Sequence, residues 1–148
     1  LLVKGPGVMK DYYANEQATR EALVDGWLHT GDIARQDEDG FIWLVDRKKD
    51  LLISGGENIS PVEIEHFLMA HPKIQDVAVI GTPDRRLGEL VTAIIQVKVG
   101  QALSEQEVLE FAGGLPRYKR PRVVHFDLVP RNPTGKIEKP RLREKYAG

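Results

Sequence analysis

The chain has 148 residues, 41% hydrophobic and 29% charged, which suffices for one ordinary domain, or a small domain plus part of another, and excludes wholesale disorder. It has no cysteine, which excludes disulfides, thiolate metal sites and a cysteine nucleophile, and His29, His66, His71 and His125 show no metal-ligand spacing, so no metal site is expected. Net charge is −1, yet the residues from Leu115 onward carry ten Lys/Arg against three Asp/Glu, a basic tail suited to nucleic acid, to phosphate-rich small molecules, or to water alone.

In chain order, a short strand at residues 1–4 closes on Gly5-Pro6-Gly7. Asn15 reads as the N-cap of a helix bearing Ala18, Ala22 and Leu23 and ending before Asp25-Gly26. Residues 27–32 form a strand entering a loop, and Asp37-Glu38-Asp39-Gly40 a hairpin turn. The strand after it puts Phe41, Trp43 and Val45 on one face. Five consecutive charges at 46–50 predict a linker, because such a run does not pack inside a strand without partners. Leu51-Leu52-Ile53 resumes as a strand into Ser54-Gly55-Gly56.

Ser60-Pro61-Val62-Glu63 carries the signals of a capping box with Pro at the first helical position, and Ile64, Phe67 and Leu68 form that helix's apolar stripe up to His71-Pro72. Two apolar strands, 77–80 and 91–99, flank a loop at 81–84. Ser104 with Glu107 predicts a second capping box, Leu103 with Val108 a hydrophobic staple, and Gly113-Gly114 a stop. A strand at 123–126, a Pro/Gly loop at 130–136 and a helix over 139–146 complete an α+β layer sandwich. No run of about 18 apolar residues spans a membrane and no leader resembles a signal peptide, so a cytoplasmic location is expected. The Leu-Leu-Val start, inside a strand and without Met, reads as that of a fragment.

Three loops place glycine or polar residues at strand ends. In Thr30-Gly31-Asp32 a carboxylate after a glycine turn can accept from a vicinal diol, or make a local Asx turn. In Ser54-Gly55-Gly56-Glu57-Asn58 paired glycines allow either a tight turn or close approach of a ligand to the backbone. In Pro130-Arg131-Asn132-Pro133-Thr134-Gly135-Lys136 the Gly-Lys end lacks the first glycine and the following Ser/Thr of a phosphate-binding P-loop. What remains is a lysine on a proline-stiffened loop, either an ordinary surface residue or an anion contact.

Taken together and in order, Trp27-Leu28-His29-Thr30-Gly31-Asp32, Asp46-Arg47-Lys48-Lys49-Asp50-Leu51-Leu52-Ile53-Ser54-Gly55-Gly56-Glu57-Asn58-Ile59 and Arg131-Asn132-Pro133-Thr134-Gly135-Lys136 resemble the C-terminal part of an adenylate-forming (AMP-binding) enzyme. The resemblance is to the acyl-CoA synthetase, or fatty-acid–CoA ligase, branch of the superfamily shared with luciferases and peptide-synthetase adenylation domains. It covers essentially the whole chain. Asp11 departs from the family's usual glycine, and Gly113-Gly114 interrupts a helix that normally continues.

The resemblance implies that a carboxylic acid and Mg-ATP give an acyl-adenylate and pyrophosphate, after which the thiol of coenzyme A displaces AMP. It implies an α+β fold in two parts. Residues 1–48 would be a short β-barrel remnant of the large N-terminal domain. Residues 49–148 would be a small two-layer α/β sandwich, a lid that alternates between two poses. Position by position, Asp32 matches the acid that accepts from both ribose hydroxyls of AMP, and Arg47 an arginine on the nucleotide. Lys49 matches the hinge, Ser54, Gly55 and Gly56 the pantetheine tunnel for CoA, and Lys136 the catalytic lysine of the adenylation pose. The Mg site, the ATP phosphate loop and the acyl pocket would lie in the missing N-terminal domain, so the fragment alone is expected to be inactive.

Two alternatives stand beside this reading. An adenylation domain loading a carrier protein usually has a more basic segment where this chain has Ser54-Gly55-Gly56-Glu57-Asn58. A non-enzymatic nucleic-acid module would use the basic tail, whose aromatics Tyr118, Phe126 and Tyr146 lack a stacking pattern, so no nucleic-acid partner is expected. Unpaired edges of the β remnant are expected to permit pairing into a homodimer.

Overall fold

The computed structural model describes residues 1–147, and its contacts divide the chain into two units, Leu1–Lys49 and the residues from Asp50 onward. In the first, β1 (Leu2–Val3), β2 (Leu23–Val24) and β3 (Trp27–His29) form an antiparallel sheet with β3 in the middle. Helix α1 (Glu16–Ala22) is capped by Asn15, whose side chain accepts from the Ala18 N–H at 3.0 Å. Leu23 leaves the helix for β2. Asp25 and Gly26, at φ 52° and 77°, make the two-residue turn that pairs Val24 with Trp27. An Asp-Gly pair is a hairpin signal as well as a helix stop, and here the hairpin takes Leu23.

Strands β4 (Asp32–Gln36) and β5 (Ile42–Arg47) form a separate hairpin. At its turn the Asp37 carboxylate accepts from the backbone N–H groups of Asp39 and Phe41 and, at 2.6 Å, from Trp43 Nε1. Bonding to Trp43 first, then to the backbone, holds this carboxyl below its ordinary range. The charge run is not a linker from its start: β5 continues through Asp46 and Arg47, and a 3₁₀ turn follows at Lys48–Asp50. A hairpin pairs backbones whatever its side chains carry: Asp46 is half-buried there and Arg47 exposed. None of residues 1–49 is buried, and Phe41, Trp43 and Val45 are 66%, 53% and 37% exposed. Among the described residues these strands form two open sheets, with no closed barrel.

The second unit is built on a five-stranded sheet. The hairpin of β6 (Leu52–Ser54) and β7 (Glu57–Ile59) precedes helix α2 (Pro61–Met69). Long antiparallel strands β8 (Ile74–Asp84) and β9 (Gly88–Val97) follow. Helix α3 (Glu105–Phe111) leads to β10 (Val123–Phe126), which lies parallel to β9, and the last helix is α4 (Lys139–Tyr146).

Residues 81–84, expected as a loop, extend β8, and the turn comes at 85–87. Pro83 is tolerated there because β9 is the strand that pairs with β8, leaving its other edge free of a ladder. Ser104 and Glu107 form the expected capping box. At α2 the Ser60 side chain makes no cap hydrogen bond. Glu63 instead reaches Lys119, 2.6 Å away and 56 positions later.

Apolar residues alternate along β8. Val77 and Val79 join Ile64 and Leu68 of α2 and Val108 of α3, whereas Ala78 and Ile80 join Leu142 of α4 and Val129. A strand buried on both faces reads as a continuous apolar run, which is why 77–80 shows no period of two. Helices therefore cover both faces, and the two expected layers are three. Glycine at position 114, though not at 113, has a steric reason: a Cβ on Gly114 would lie 2.8 Å from Phe67 Cζ. Arg120 then donates to the carbonyls of Gly113 and Leu115, both at 2.8 Å, closing the helix end.

Helix α4 is fastened at its far end by Asp127, which accepts from Lys145 and from the Tyr146 hydroxyl. Those bonds, Lys145 first, hold the Asp127 carboxyl at about 2. Since this pKa lies below the unfolded value near ~3.9, the stabilisation is complete above that pH and is lost as pH falls through about 2. Protection of the amides in the last turn of α4, taken relative to their intrinsic exchange rates, is therefore expected to fall between roughly pH 4 and 2, and Asp127→Asn should remove that acid-dependent step. Glu107, held at about 2 chiefly by Lys73, titrates in the same window, so the probe must be local to α4.

Candidate functional site

The expected site residues fall into three constellations. In the first unit, Asp32 opens β4 directly opposite Arg47 at the end of β5, and Arg47 Nε lies 3.1 Å from Asp32 Oδ1. The turn before them is made by Thr30, whose hydroxyl accepts from the Asp32 N–H at 3.1 Å. The carboxylate is thus not spent on an Asx turn and keeps its second oxygen to accept from hydroxyl groups. Gly31, at φ 76°, passes its carbonyl to the Lys48 N–H at 2.8 Å. Gly31, Arg47, Lys48 and Lys49 line an open cleft of about 430 Å³. A half-exposed guanidinium and two lysines at a cleft beside a carboxylate suit a ligand with both anionic and diol groups.

The second constellation is the β6–β7 turn. Ser54 pairs with Glu57, and Gly55 and Gly56 take φ 59° and 86° between them, the two-residue turn that requires positive φ at both positions. The turn thus explains the paired glycines by itself. Yet a Cβ on Gly56 would meet nothing within 4 Å, so the backbone there is open to an approaching molecule. Ser54 points elsewhere: it is buried and donates to the Glu89 carbonyl at 2.6 Å.

Lys136 is the third. Its loop is organised by Asn132, whose Oδ1 accepts from Thr134 N–H, Thr134 Oγ1 and Lys136 N–H at 3.0, 2.7 and 2.9 Å. Arg131 clamps the loop to β8 through two bonds to Asp76, at 2.7 and 2.8 Å. Three residues beyond Lys136, buried Lys139 binds Glu65 of α2 at 2.8 Å. With both flanks fixed, the exposed Lys136 ammonium finds no partner among the described residues.

The structure does not gather Gly56 and Lys136 at one place. The Lys136 loop is tied to β8 at Asp76, whereas the glycine turn lies at the Asp84 end, where Gly55 N–H donates to Leu87 O and Ser54 pairs with Gly88. Asp76 and Asp84 are eight steps of extended strand apart, about 26 Å at roughly 3.3 Å per residue. One sheet therefore presents an open backbone turn at one end and a mounted cation at the other. Asp76, Glu65, Lys139 and Asn132 were not singled out from the sequence. Ion pairs 55 or more positions apart leave no local signal, whereas Asn132, four residues before Lys136, fits an Asx-turn rule.

Among the described residues no group of His, Asp and Glu side chains could hold a metal ion, and no helix is long and apolar enough to cross a membrane. A family model described as AMP-binding enzyme C-terminal domain matches residues 63–136. The long-chain-fatty-acid–CoA ligase FadD13 of Mycobacterium tuberculosis is 44% identical over 149 residues, covering 99% of this chain and 29% of that protein. The 2-succinylbenzoate–CoA ligase of Bacillus cytotoxicus is 44% identical over 146 residues, covering 97% of this chain and 30% of that protein. The crystal structure of ATP-bound MatB from Rhodopseudomonas palustris superposes with a TM-score of 0.91 at 40% identity, covering 99% of this chain and 30% of that one. The chain thus spans about 30% of the length of the relatives it matches.

Proposed function

We propose, from the premise that this chain belongs to the AMP-binding enzyme C-terminal domain family, that it supplies the lid and the adjoining end of the large domain of an ATP-dependent acid–thiol ligase, an acyl-CoA synthetase. The observation that carries the reading is the placement of Gly56 and Lys136 at opposite ends of one sheet. A single rigid unit with two chemically different ends serves two half-reactions if it turns between them, and Lys49, the last residue before the second unit, is the pivot. Residues 1–49, with no buried residue and five consecutive exposed apolar side chains at 41–45, require further chain to complete a core. That need supports assigning them to a larger domain.

In the first half-reaction a carboxylate oxygen of the acid attacks the α-phosphorus of ATP, the bond to the β-phosphate oxygen breaks, and pyrophosphate leaves. Asp32 accepts from the ribose hydroxyls, Arg47 holds the nucleotide, and Lys136 bridges the two anions as they meet. In the second, the sulfur of CoA attacks the acyl carbon of the adenylate, AMP leaves, and the thiol proton passes to solvent. Here Gly55 and Gly56 border the passage of the pantetheine arm. The described residues do not fit a magnesium site, and this reading assigns the ligands of Mg to the larger domain. A cytoplasmic location accompanies this reading.

The test is a panel of fatty, aryl and dicarboxylic acids given to the full-length protein with ATP and CoA. At least one acid is expected to yield AMP, pyrophosphate and the CoA thioester in equal amounts, with no thioester when ATP is omitted. Acyl transfer to a carrier protein but never to CoA would reassign the acceptor, and ATP cleavage to ADP would overturn the adenylate chemistry.

A further inference from the structure

We infer that Glu89 is a positioning residue for the thioester-forming step, because it fixes the Gly55 and Gly56 turn to the main sheet; the role rests on the function proposed above. The β6–β7 hairpin joins β9 through a single paired position, Ser54 with Gly88. Leu52 and Ile59 pack the base of the hairpin into the core, but one rung of main-chain pairing leaves its turn end weakly tied to β9. Glu89 supplies the missing attachments. Its Oε2 accepts from the Ile53 N–H at 2.7 Å, standing where a neighbouring strand's carbonyl would complete the ladder. Its own carbonyl accepts from Ser54 Oγ at 2.6 Å. Both residues leading into the turn are thus held by one residue of β9, and the Gly55 N–H to Leu87 O bond at 2.9 Å secures the turn itself.

A second observation shows that the fold makes room for this carboxylate. Gly81 lies in β8, diagonal to Glu89 in a register that pairs Pro83 with Glu89 and Gly81 with Val91. A Cβ on Gly81 would lie 2.3 Å from Glu89 Oε1 and 2.6 Å from its Cδ. Glycine weakens a strand interior, and its presence there marks a close approach; the approaching group is the Glu89 side chain. The Gly81 φ is not in the left-handed region, so conformational freedom is not what keeps glycine at this position. The carboxylate is therefore seated between two strands and aimed at the backbone of a third, while the far side of the turn, at Gly56, stays open. A charge-assisted bond to a backbone amide is shorter and stronger than a neutral one, which suits an attachment that must withstand a ligand pressing on the turn.

The test separates the half-reactions in the full-length protein. Glu89→Ala should slow transfer from supplied acyl-adenylate to CoA, or raise KM for CoA, by about tenfold to 10²-fold, as expected when a reacting surface drifts by about 1 Å. ATP–pyrophosphate exchange, which reports adenylation, should be unchanged. Glu89→Gln, which keeps an acceptor for Ile53 N–H, should restore most of the transfer rate. Gly81→Ala should reproduce the selective transfer defect by expelling the carboxylate, and it serves in place of Glu89→Ala if that variant does not fold. Faster exchange of the Ile53 amide in both variants would show the contact broken. Unchanged transfer despite a freely exchanging Ile53 amide would overturn the inference, as would equal loss of both half-reactions. If the unaltered protein makes adenylate but no thioester, the function proposed above fails instead, and this role falls with it.

Discussion

Replacing Lys136 by alanine in the full-length protein is expected to cut acyl-adenylate formation by about 10²–10³, the effect of removing one preorganised donor, while transfer of a supplied acyl-adenylate to CoA proceeds at the original rate. The size follows from what the residue is asked to do. A carboxylate and the α-phosphate, both negative, must come together, and a fixed cation offsets their repulsion most where charge concentrates in the transition state. The loop around Lys136 is built to keep that cation from wandering: Asn132 collects three donors, and the Arg131 pair with Asp76 and the Lys139 pair with Glu65 anchor its two flanks. Lys136→Arg should rescue only in part, because a planar, delocalised guanidinium presents its charge at a different point from a compact ammonium. The measurement is a pair of single-turnover assays, one on ATP with acid and one on acyl-adenylate with CoA. Equal loss in both would remove the division of labour between the two ends of the sheet.

The parts of this fold legible in the sequence are those set by neighbours in the chain. Asn15 capping α1 and the Ser104–Glu107 box of α3 are rules over three residues, and both are realised. Ser60 and Glu63 satisfy the same rule on paper, yet the Ser60 side chain makes no cap hydrogen bond and Glu63 pairs with Lys119, and nothing near Glu63 announces a residue 56 positions away. Pro83 misleads for a related reason: proline forbids a strand only where its missing N–H is needed, and which edge of β8 lacks a partner is decided by the whole sheet. The three-residue strand β7 is invisible because Glu57 and Asn58 are poor strand formers, held there by the turn before them.

The site divides likewise. Thr30-Gly31-Asp32 favours a local Asx turn over a free carboxylate; in the structure the Thr30 hydroxyl accepts from the Asp32 N–H, and the Asp32 carboxylate faces Arg47. That Gly56 and Lys136 lie at opposite ends of β8 could not be read at all, since it needs the contacts of Arg131 with Asp76 and of Gly55 with Leu87.

The second unit should lose about 3–5 kcal/mol of stability on Glu65→Ala, the cost of breaking a buried ion pair from one side. Glu65 and Lys139 are only 12% and 10% exposed, and the same Glu65 Oε1 accepts from Lys139 Nζ and from the Val79 N–H, each at 2.8 Å. Alanine would leave an ammonium and a strand amide in the interior without acceptors, and water reaches neither freely. Against a typical total of about 5–15 kcal/mol, such a loss populates the unfolded state measurably. Glu65→Gln should cost less, because its carbonyl oxygen still serves Val79. Replacing both partners, Glu65→Leu with Lys139→Met, should recover most of the loss, leaving chiefly the unpaired Val79 amide at about 1–3 kcal/mol. Urea denaturation midpoints of the four proteins measure this series. A loss under about 1 kcal/mol for Glu65→Ala, the scale of an exposed pair, would show that solvent already screens the contact. The anchoring of the Lys136 loop would then rest on Arg131 and Asp76 alone.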